Sequence, residues 1–309
     1  MSNSDWSKPV LVYQANGVQG GAIVKTALRH GLKVRALVRD PVRANALERY
    51  GAELAPGDLA DLSSLAVASQ GAVSAVIQVP TGSFDEMQAY ASHAFQAAKI
   101  AGLSSVILRL PSASRTAPCD EPSFVANAMV EDIARQSGIL SAIVRPTMYL
   151  ENLLKPTARA DIITRGIFEP PLAASQRVAW TSADDCAEVT IRLLMGGKVF
   201  TGDYTISGPE SLSGDALARK ISVGLGRPVT YRSQPLDKFE HEVEQALGSC
   251  VGRRVASKFR YFAAHPEDAD AILSVPYTRR FELGDFNPTS VETWVANHLS
   301  DFLRGSEVD

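Results

Sequence analysis

Short, almost wholly apolar runs alternate with longer stretches of helical periodicity through the first half of the chain. Val10-Leu-Val-Tyr13, Lys33–Val38, Ala52–Ala55, Ala75–Val79, Ser105–Leu110 and Leu140–Arg145 read as strands. Brief unbroken apolar runs bounded by Gly, Pro or Asp suit strands buried on both faces. Between them Ala22–His30, Val42–Arg49, Leu62–Ser69, Asp85–Ala101 and Phe124–Ser137 read as helices, the last two closed by Gly102 and Gly138. This alternation predicts an α/β fold built on a doubly wound parallel sheet. Ligands of such sheets lie beyond the carboxyl ends of the strands, where the strand order switches. That rule gathers Gln14–Gly20, Arg39, Asp58, Val79–Thr81, Leu110–Ser114 and Pro146–Asn152 around one crevice.

After Arg145 the rhythm changes. Prolines at 146, 156, 170 and 171 break the chain into turns and short helices. Trp180–Asp185 opens a helix over Cys186–Met195, with Asp184 or Asp185 as its cap. Tyr204–Ile206 and Val229–Arg232 read as strands around a helix at Gly214–Gly224, and Lys238–His265, Glu267–Leu273 and Ser290–Leu303 read as mostly helical. With 309 residues, the chain exceeds what one small core needs. The expected organisation is a core over 1–155 and a smaller C-terminal α/β lobe over 156–309 that selects a substrate, with 180–206 returning to the core.

The turn after the first strand reads Gln14-Ala-Asn-Gly17-Val-Gln-Gly20-Gly21. Strand, glycine-rich turn and helix in that order form the Rossmann arrangement, which seats a dinucleotide pyrophosphate on the helix amino end. Gln14 occupies the place where Gly-x-x-Gly-x-x-Gly wants its first glycine. Either its side chain replaces a close approach to the phosphates with a polar contact, or it points away. If its backbone sits at positive φ, the substitution costs about 1–2 kcal/mol. The residue about 20 positions further on chooses between the ribose 2′-hydroxyl of NAD and the 2′-phosphate of NADP. Here it is Arg39, a planar cation suited to phosphate. Asp40 precedes Pro41 and reads as a helix cap instead of a ribose ligand. NADP(H) is therefore expected over NAD(H).

Composition narrows the classes further. Hydrophobic residues make up 45% of the chain, with no apolar run of membrane-spanning length. The polar start Met1–Lys8 lacks the apolar stretch of a signal peptide. Three widely spaced cysteines, Cys119, Cys186 and Cys250, fit neither a disulfide framework nor a metal box, so a reducing cytoplasmic setting is expected. His30, His241, His265 and His298 show no metal-ligand spacing. A net charge of −3 with only paired arginines at 253–254 and 279–280 is unlike a nucleic-acid footprint.

Several stretches resemble the NmrA-like family, atypical relatives of the short-chain dehydrogenases/reductases. They are Gly17-Val-Gln-Gly-Gly21, Val34–Pro41, Gly57–Asp61, Ala97–Gly102, Val130-Glu131 and Arg145–Asn152. The resemblance implies a Rossmann domain with a small C-terminal substrate lobe, in either an NADPH-dependent reductase of quinones and related acceptors or a non-catalytic sensor of NADP(H) state. By position it puts cofactor on Gln14, Asn16, Gly17, Val18, Gln19, Gly20, Arg39, Asp58, Leu59, Val79, Pro80, Tyr149 and Asn152. One departure stands out. Many relatives carry a Tyr-x-x-x-Lys that protonates a reduced carbonyl, and here those positions hold Ser123 and Asn127. The serine positions of the preceding strand hold Arg109 and Leu110, although Ser112 or Ser114 would serve after a shift of the loop.

The remaining candidates each have a plain structural alternative. Asn127 either bonds the nicotinamide ribose or is a polar residue facing the crevice. Tyr149 as proton donor and Glu151 as base would serve catalysis, against packing roles, while Asn152 pins its loop. Arg109 either meets an acidic substrate or oxyanion, or pairs with Asp120, Glu121 or Glu131. His93 reads as a packing histidine rather than a partner for Cys119, and Ser257-Lys-Phe-Arg-Tyr-Phe262 as core or lid packing ahead of acceptor stacking. Three functions remain open. One is hydride transfer to an electron-poor small molecule without the triad, and another is a cofactor-state sensor with a protein partner. The third is a non-redox isomerase holding NADP as a fixed group.

Overall fold

The computed structural model describes residues 5–114, 119–196 and 201–304. The chain runs β1 (Val10–Val12), α1 (Val18–Arg29), β2 (Val34–Val38), α2 (Asn45–Arg49), β3 (Glu53–Pro56), α3 (Leu62–Ser69), β4 (Ser74–Ile77), α4 (Phe84–Ile100), β5 (Ser105–Arg109), α5 (Pro122–Gln136) and β6 (Leu140–Pro146). It continues through α6 (Pro156–Arg165), β7 (Ile167–Phe168), α7 (Ala183–Met195), β8 (Gly202–Ile206), α8 (Gly214–Leu225), β9 (Thr230–Tyr231), α9 (Leu236–Leu247), α10 (Ser249–Ala264), α11 (Pro266–Leu273), α12 (Val291–Asn297) and α13 (Leu299–Leu303). Two compact units emerge: Met1–Arg145 with Cys186–Thr205 and Arg280–Phe286, and Pro146–Asp185 with Ile206–Arg279 and Asn287–Asp309.

The first unit carries a seven-stranded sheet in the order β3-β2-β1-β4-β5-β6-β8. Pairings among β1 to β6 are parallel, with Val10 opposite both Val34 and Ser74. The order reverses between β1 and β4, which is the switch point of a doubly wound fold. Alternate strand residues point to opposite faces. Leu11, Tyr13, Leu37, Ile77, Val106, Leu108 and Ile143 therefore share one face with Leu65, Met87, Phe95 and Val130 from α3, α4 and α5.

Local chemistry explains most element ends. Ser83 and Glu86 form a capping box at α4, and the Asp61 side chain accepts from the Ser63 amide at α3. Several boundaries move from those the pattern predicts. Helix α1 starts at Val18, so Gly20 and Gly21 lie inside it instead of in the turn. The segment at Val42 opens as a 3₁₀ turn before α2, with Asp40 Oδ1 accepting from the Val42 amide at 3.0 Å. Neither Asp184 nor Asp185 caps α7. The Ser182 hydroxyl accepts from the Asp185 amide at 3.0 Å, and the Asp185 carboxylate instead holds Thr289 through its amide and hydroxyl at 3.0 and 2.9 Å. Strand β8 joins the edge of the main sheet beside β6.

In the second unit β7 and β9 form a small parallel pair, Ile167 opposite Thr230. The proline-broken segment thus contains a strand as well as α6. The helical stretch from Lys238 is interrupted at Gly248, whose φ of 84° lets the chain turn from α9 into α10. Phe168, Trp180, Leu217, Ile221, Trp294 and Phe302 are buried here. Among the described residues no helix is long and apolar enough to cross a membrane.

Candidate functional site

The turn between β1 and α1 is built by two close approaches. A Cβ on Gly20 would lie 2.1 Å from the Gln14 carbonyl oxygen, so only glycine lets the first turn of α1 settle on the preceding loop. The Gly17 amide donates to that same carbonyl at 2.9 Å. Gln14 has φ of 52° and is the only non-glycine residue at positive φ among the described residues. Its side chain is exposed, so it points away from the core and the backbone carries the strain expected of a missing glycine. Gly17 caps α1 with no side-chain hydrogen bond, and the first-turn amides of Val18 and Gln19 retain their donors at the positive end of the helix. Asn16, Gly17 and Val18 are exposed, and Gln19 is half-buried.

At the end of β2, Asp40 is spent on its own turn and on Arg43, 3.3 Å away. Arg39 is exposed, and among the described residues no acid pairs with it. Asp58 is exposed, its Oδ1 accepting from the Ala60 amide at 2.9 Å. Leu59 beside it is buried, and His93 Nδ1 donates to its carbonyl at 2.9 Å, which gives His93 a packing role. Val79 is buried and Pro80 half-buried just past the end of β4.

Arg109, the last residue of β5, is completely buried. Its Nη1 donates to Gln19 Oε1 at 3.2 Å and to Gln78 Oε1 at 3.0 Å. Gln78 in turn donates through Nε2 to the Tyr13 carbonyl at 2.9 Å. One guanidinium thus ties the carboxyl ends of β1, β4 and β5 to the first turn of α1, at the switch point. The sequence reading missed Gln78, although a polar residue inside the apolar run Ala75–Val79 was a usable signal. Glu131 is not the partner of Arg109. It is held instead by Arg145, by Arg135 at 2.8 Å and by the Ser114 hydroxyl, with Asp203 closing the network 2.9 Å from Arg145. Burial opposes the Arg145 charge, but Glu131 and Asp203 outweigh it and raise its pKa. Asn127 is buried and donates through Nδ2 to Ser112 Oγ at 3.1 Å and to the Ala113 carbonyl at 2.9 Å. Helix α5 therefore pins the loop after β5 with Asn127 and Glu131. Ser112 and Ser114 are engaged in that pinning.

The other predicted residues belong to the second unit. Tyr149 is buried and its backbone bridges Thr181, with the Leu150 amide donating to the Thr181 carbonyl at 2.8 Å. Glu151 Oε1 accepts from the Ala183 amide at 2.8 Å, at the amino end of α7, where a helix dipole favours the ionised carboxylate. The Asn152 amide donates to the Tyr149 carbonyl at 3.1 Å, and the Lys155 amide to the Asn152 carbonyl at 3.4 Å. In α10, Phe259 and Phe262 are buried, and Phe259 meets Phe239 edge-on at 5.1 Å. Among the described residues no three His, Cys, Asp or Glu side chains gather as metal ligands.

The profile of the NmrA-like family matches residues 7–295. The NAD(P)H azoreductase of Xenophilus azovorans is 31% identical over 231 residues, which span 74% of this chain and 78% of that protein. A (4-alkanoyl-5-oxo-2,5-dihydrofuran-3-yl)methyl phosphate reductase of Streptomyces griseus is 27% identical over 95% of this chain and 99% of its own length. Among solved structures, NmrA, a negative transcriptional regulator in complex with NAD, superposes with a TM-score of 0.77 at 20% identity, covering 98% of both chains. That likeness is one of fold.

Proposed function

Because the chain belongs to the NmrA-like family, we propose that it is an NADPH-dependent reductase that passes hydride to an electron-poor small molecule such as a quinone, an enone or an imine-like carbon. The observation that carries this reading is the amino end of α1, open to a ligand and seated on the Gln14 carbonyl through Gly20. A pyrophosphate fits those residues: backbone amides of Val18 and Gln19 supply donors, and Gly20 keeps Cβ atoms out of the way. Arg39, with Asp40 already committed to its turn, is the group for the 2′-phosphate. Asn16, Asp58, Leu59, Val79 and Pro80 would line the rest of the nucleotide, and Tyr149 and Asn152 complete the assignment. Two relatives named as reductases support the choice of chemistry.

The nicotinamide, when bound, supplies the hydride. This chain's own contribution is positioning. Arg109 holds Gln19 and Gln78 and so stiffens the phosphate turn from below, acting as a positioning residue. Helix α5 offers Ser123 and Asn127 where a carbonyl reductase would deliver a proton, and Asn127 spends its Nδ2 on the loop after β5. An acceptor whose reduction needs little protonation in the hydride step suits such a site, with Tyr149 returning the proton afterwards. Incubation with NADPH and a panel of quinones should consume nicotinamide absorbance, and Arg39→Ala should weaken NADPH about 10-fold or more while leaving NADH little changed. No consumption with any acceptor overturns the reductase reading, and unimpaired NADPH affinity in Arg39→Ala overturns the phosphate assignment.

A further inference from the structure

Two carboxamides meet one nitrogen at the switch point of the sheet. Arg109 Nη1 carries two hydrogens, and they go to Gln19 Oε1 at 3.2 Å and Gln78 Oε1 at 3.0 Å. A guanidinium donates and cannot accept, so each glutamine must turn its oxygen towards Arg109 and its amide nitrogen away. Gln78 then has both ends engaged inside the protein, because its Nε2 donates to the Tyr13 carbonyl at 2.9 Å. Gln19 differs. Its residue is only half-buried, and its Nε2 is neither hydrogen-bonded among the described residues nor enclosed by protein.

The helix decides where that nitrogen lies. Gln19 is the second residue of α1, and helix side chains lean towards the amino end. With the oxygen drawn to Arg109 at the end of β5, the two N–H donors of the carboxamide are turned away from the sheet. They add to the free backbone amides of Val18 and Gln19 in that first turn. Arg109 is wholly buried and Gln78 nearly so, and apolar side chains of similar volume would avoid the desolvation that both incur. What the polar trio gains is orientation: a carboxamide held by its oxygen cannot rotate to present an acceptor to an anion. We propose that Gln19 is a side-chain ligand of the dinucleotide diphosphate, its Nε2 donating to a phosphate oxygen in the orientation that Arg109 imposes. This assignment rests on the dinucleotide part of the proposed function and is independent of the acceptor.

Calorimetry on the full chain tests it without turnover. Gln19→Glu keeps an acceptor for Arg109 and loses both N–H donors. Its unfolding midpoint should be no lower than that of wild type, while its affinities for NADPH and NADH should both fall about 10-fold or more. Gln19→Met, which adds no charge, should weaken both nucleotides about 5-fold or more. The ratio of wild-type to Gln19→Glu affinity should persist in about 1 M salt, because screening removes repulsion at a distance and leaves the effect of a lost hydrogen bond. A ratio that closes to within about 2-fold there, or wild-type affinity in Gln19→Met, overturns the contact. A lowered midpoint in Gln19→Glu overturns the orientation. A loss confined to NADPH gives Gln19 to the 2′-phosphate and overturns the diphosphate assignment. Wild-type protein that binds neither nucleotide defeats the dinucleotide reading along with this one. Quinones left unreduced by a protein that binds both nucleotides defeat the reductase reading alone.

Discussion

Replacing Gln14 by glycine should stabilise the protein, and the size of the gain follows from one dihedral angle. At φ of 52° an L-residue brings its Cβ against the neighbouring carbonyl, a cost of about 1–2 kcal/mol that glycine escapes. Glycine in turn gives the unfolded chain more freedom, which takes back about 0.5–1 kcal/mol. The side chain of Gln14 is exposed, and the contact that matters, Gly17 amide to Gln14 carbonyl at 2.9 Å, uses backbone alone. The net expectation is a gain of about 0.5–1 kcal/mol, or about 1–3 °C in the melting temperature. Gln14→Ala is the control, since alanine has the same Cβ in the same place and should change stability by less than about 0.5 kcal/mol. Gln14→Val should lose about 1 kcal/mol, because a β-branched side chain tolerates positive φ least. Urea and thermal unfolding followed by circular dichroism measure all three. If glycine is no better than alanine, the strain is not there, and the missing glycine of the turn means something else.

Glu131→Gln should lower stability by at least about 2 kcal/mol in the same unfolding assay, because Arg145 then keeps only the half-exposed Asp203. A wild-type midpoint would show the network to be dispensable. Lys258 makes a pH prediction. Its folded value of about 8 lies below its ordinary 10.5, so within that window the unfolded chain binds more protons and stability rises with pH. The difference in stability between wild type and Lys258→Met should therefore move in favour of wild type as the pH is raised through that window, and a flat difference would refute the burial of its ammonium. Tyr149→Phe should lower kcat for quinone reduction about 10-fold or more with little change in NADPH affinity, and an unchanged kcat would leave Tyr149 a packing residue.

The doubly wound sheet was legible in the sequence because its signals are local. Apolar runs at Val10, Val34, Ala75 and Val106 with helical periods between them admit few other folds, and the glycine turn after β1 marks the switch point. The chemistry of the short-range turns was legible too. Asp40 before Pro41 caps its turn, and the absence of a glycine at position 14 announces the strained backbone found there. Other features follow from packing. Two glycines in succession look like a turn, yet α1 begins before them, and Gly20 is required inside the helix because the Gln14 carbonyl leaves no space there for a Cβ. Ser182 caps α7, not the acids after it, because Asp185 is taken by Thr289, far along the chain. The partners of Arg109 and the closure of the Glu131–Arg145 network by Asp203 join residues distant in sequence. Composition and periodicity say which residues want to be buried or charged. Which charge meets which partner is decided by the packing of helices on the sheet, since Coulomb and hydrogen-bond energies act only over a few ångströms and depend on the finished arrangement.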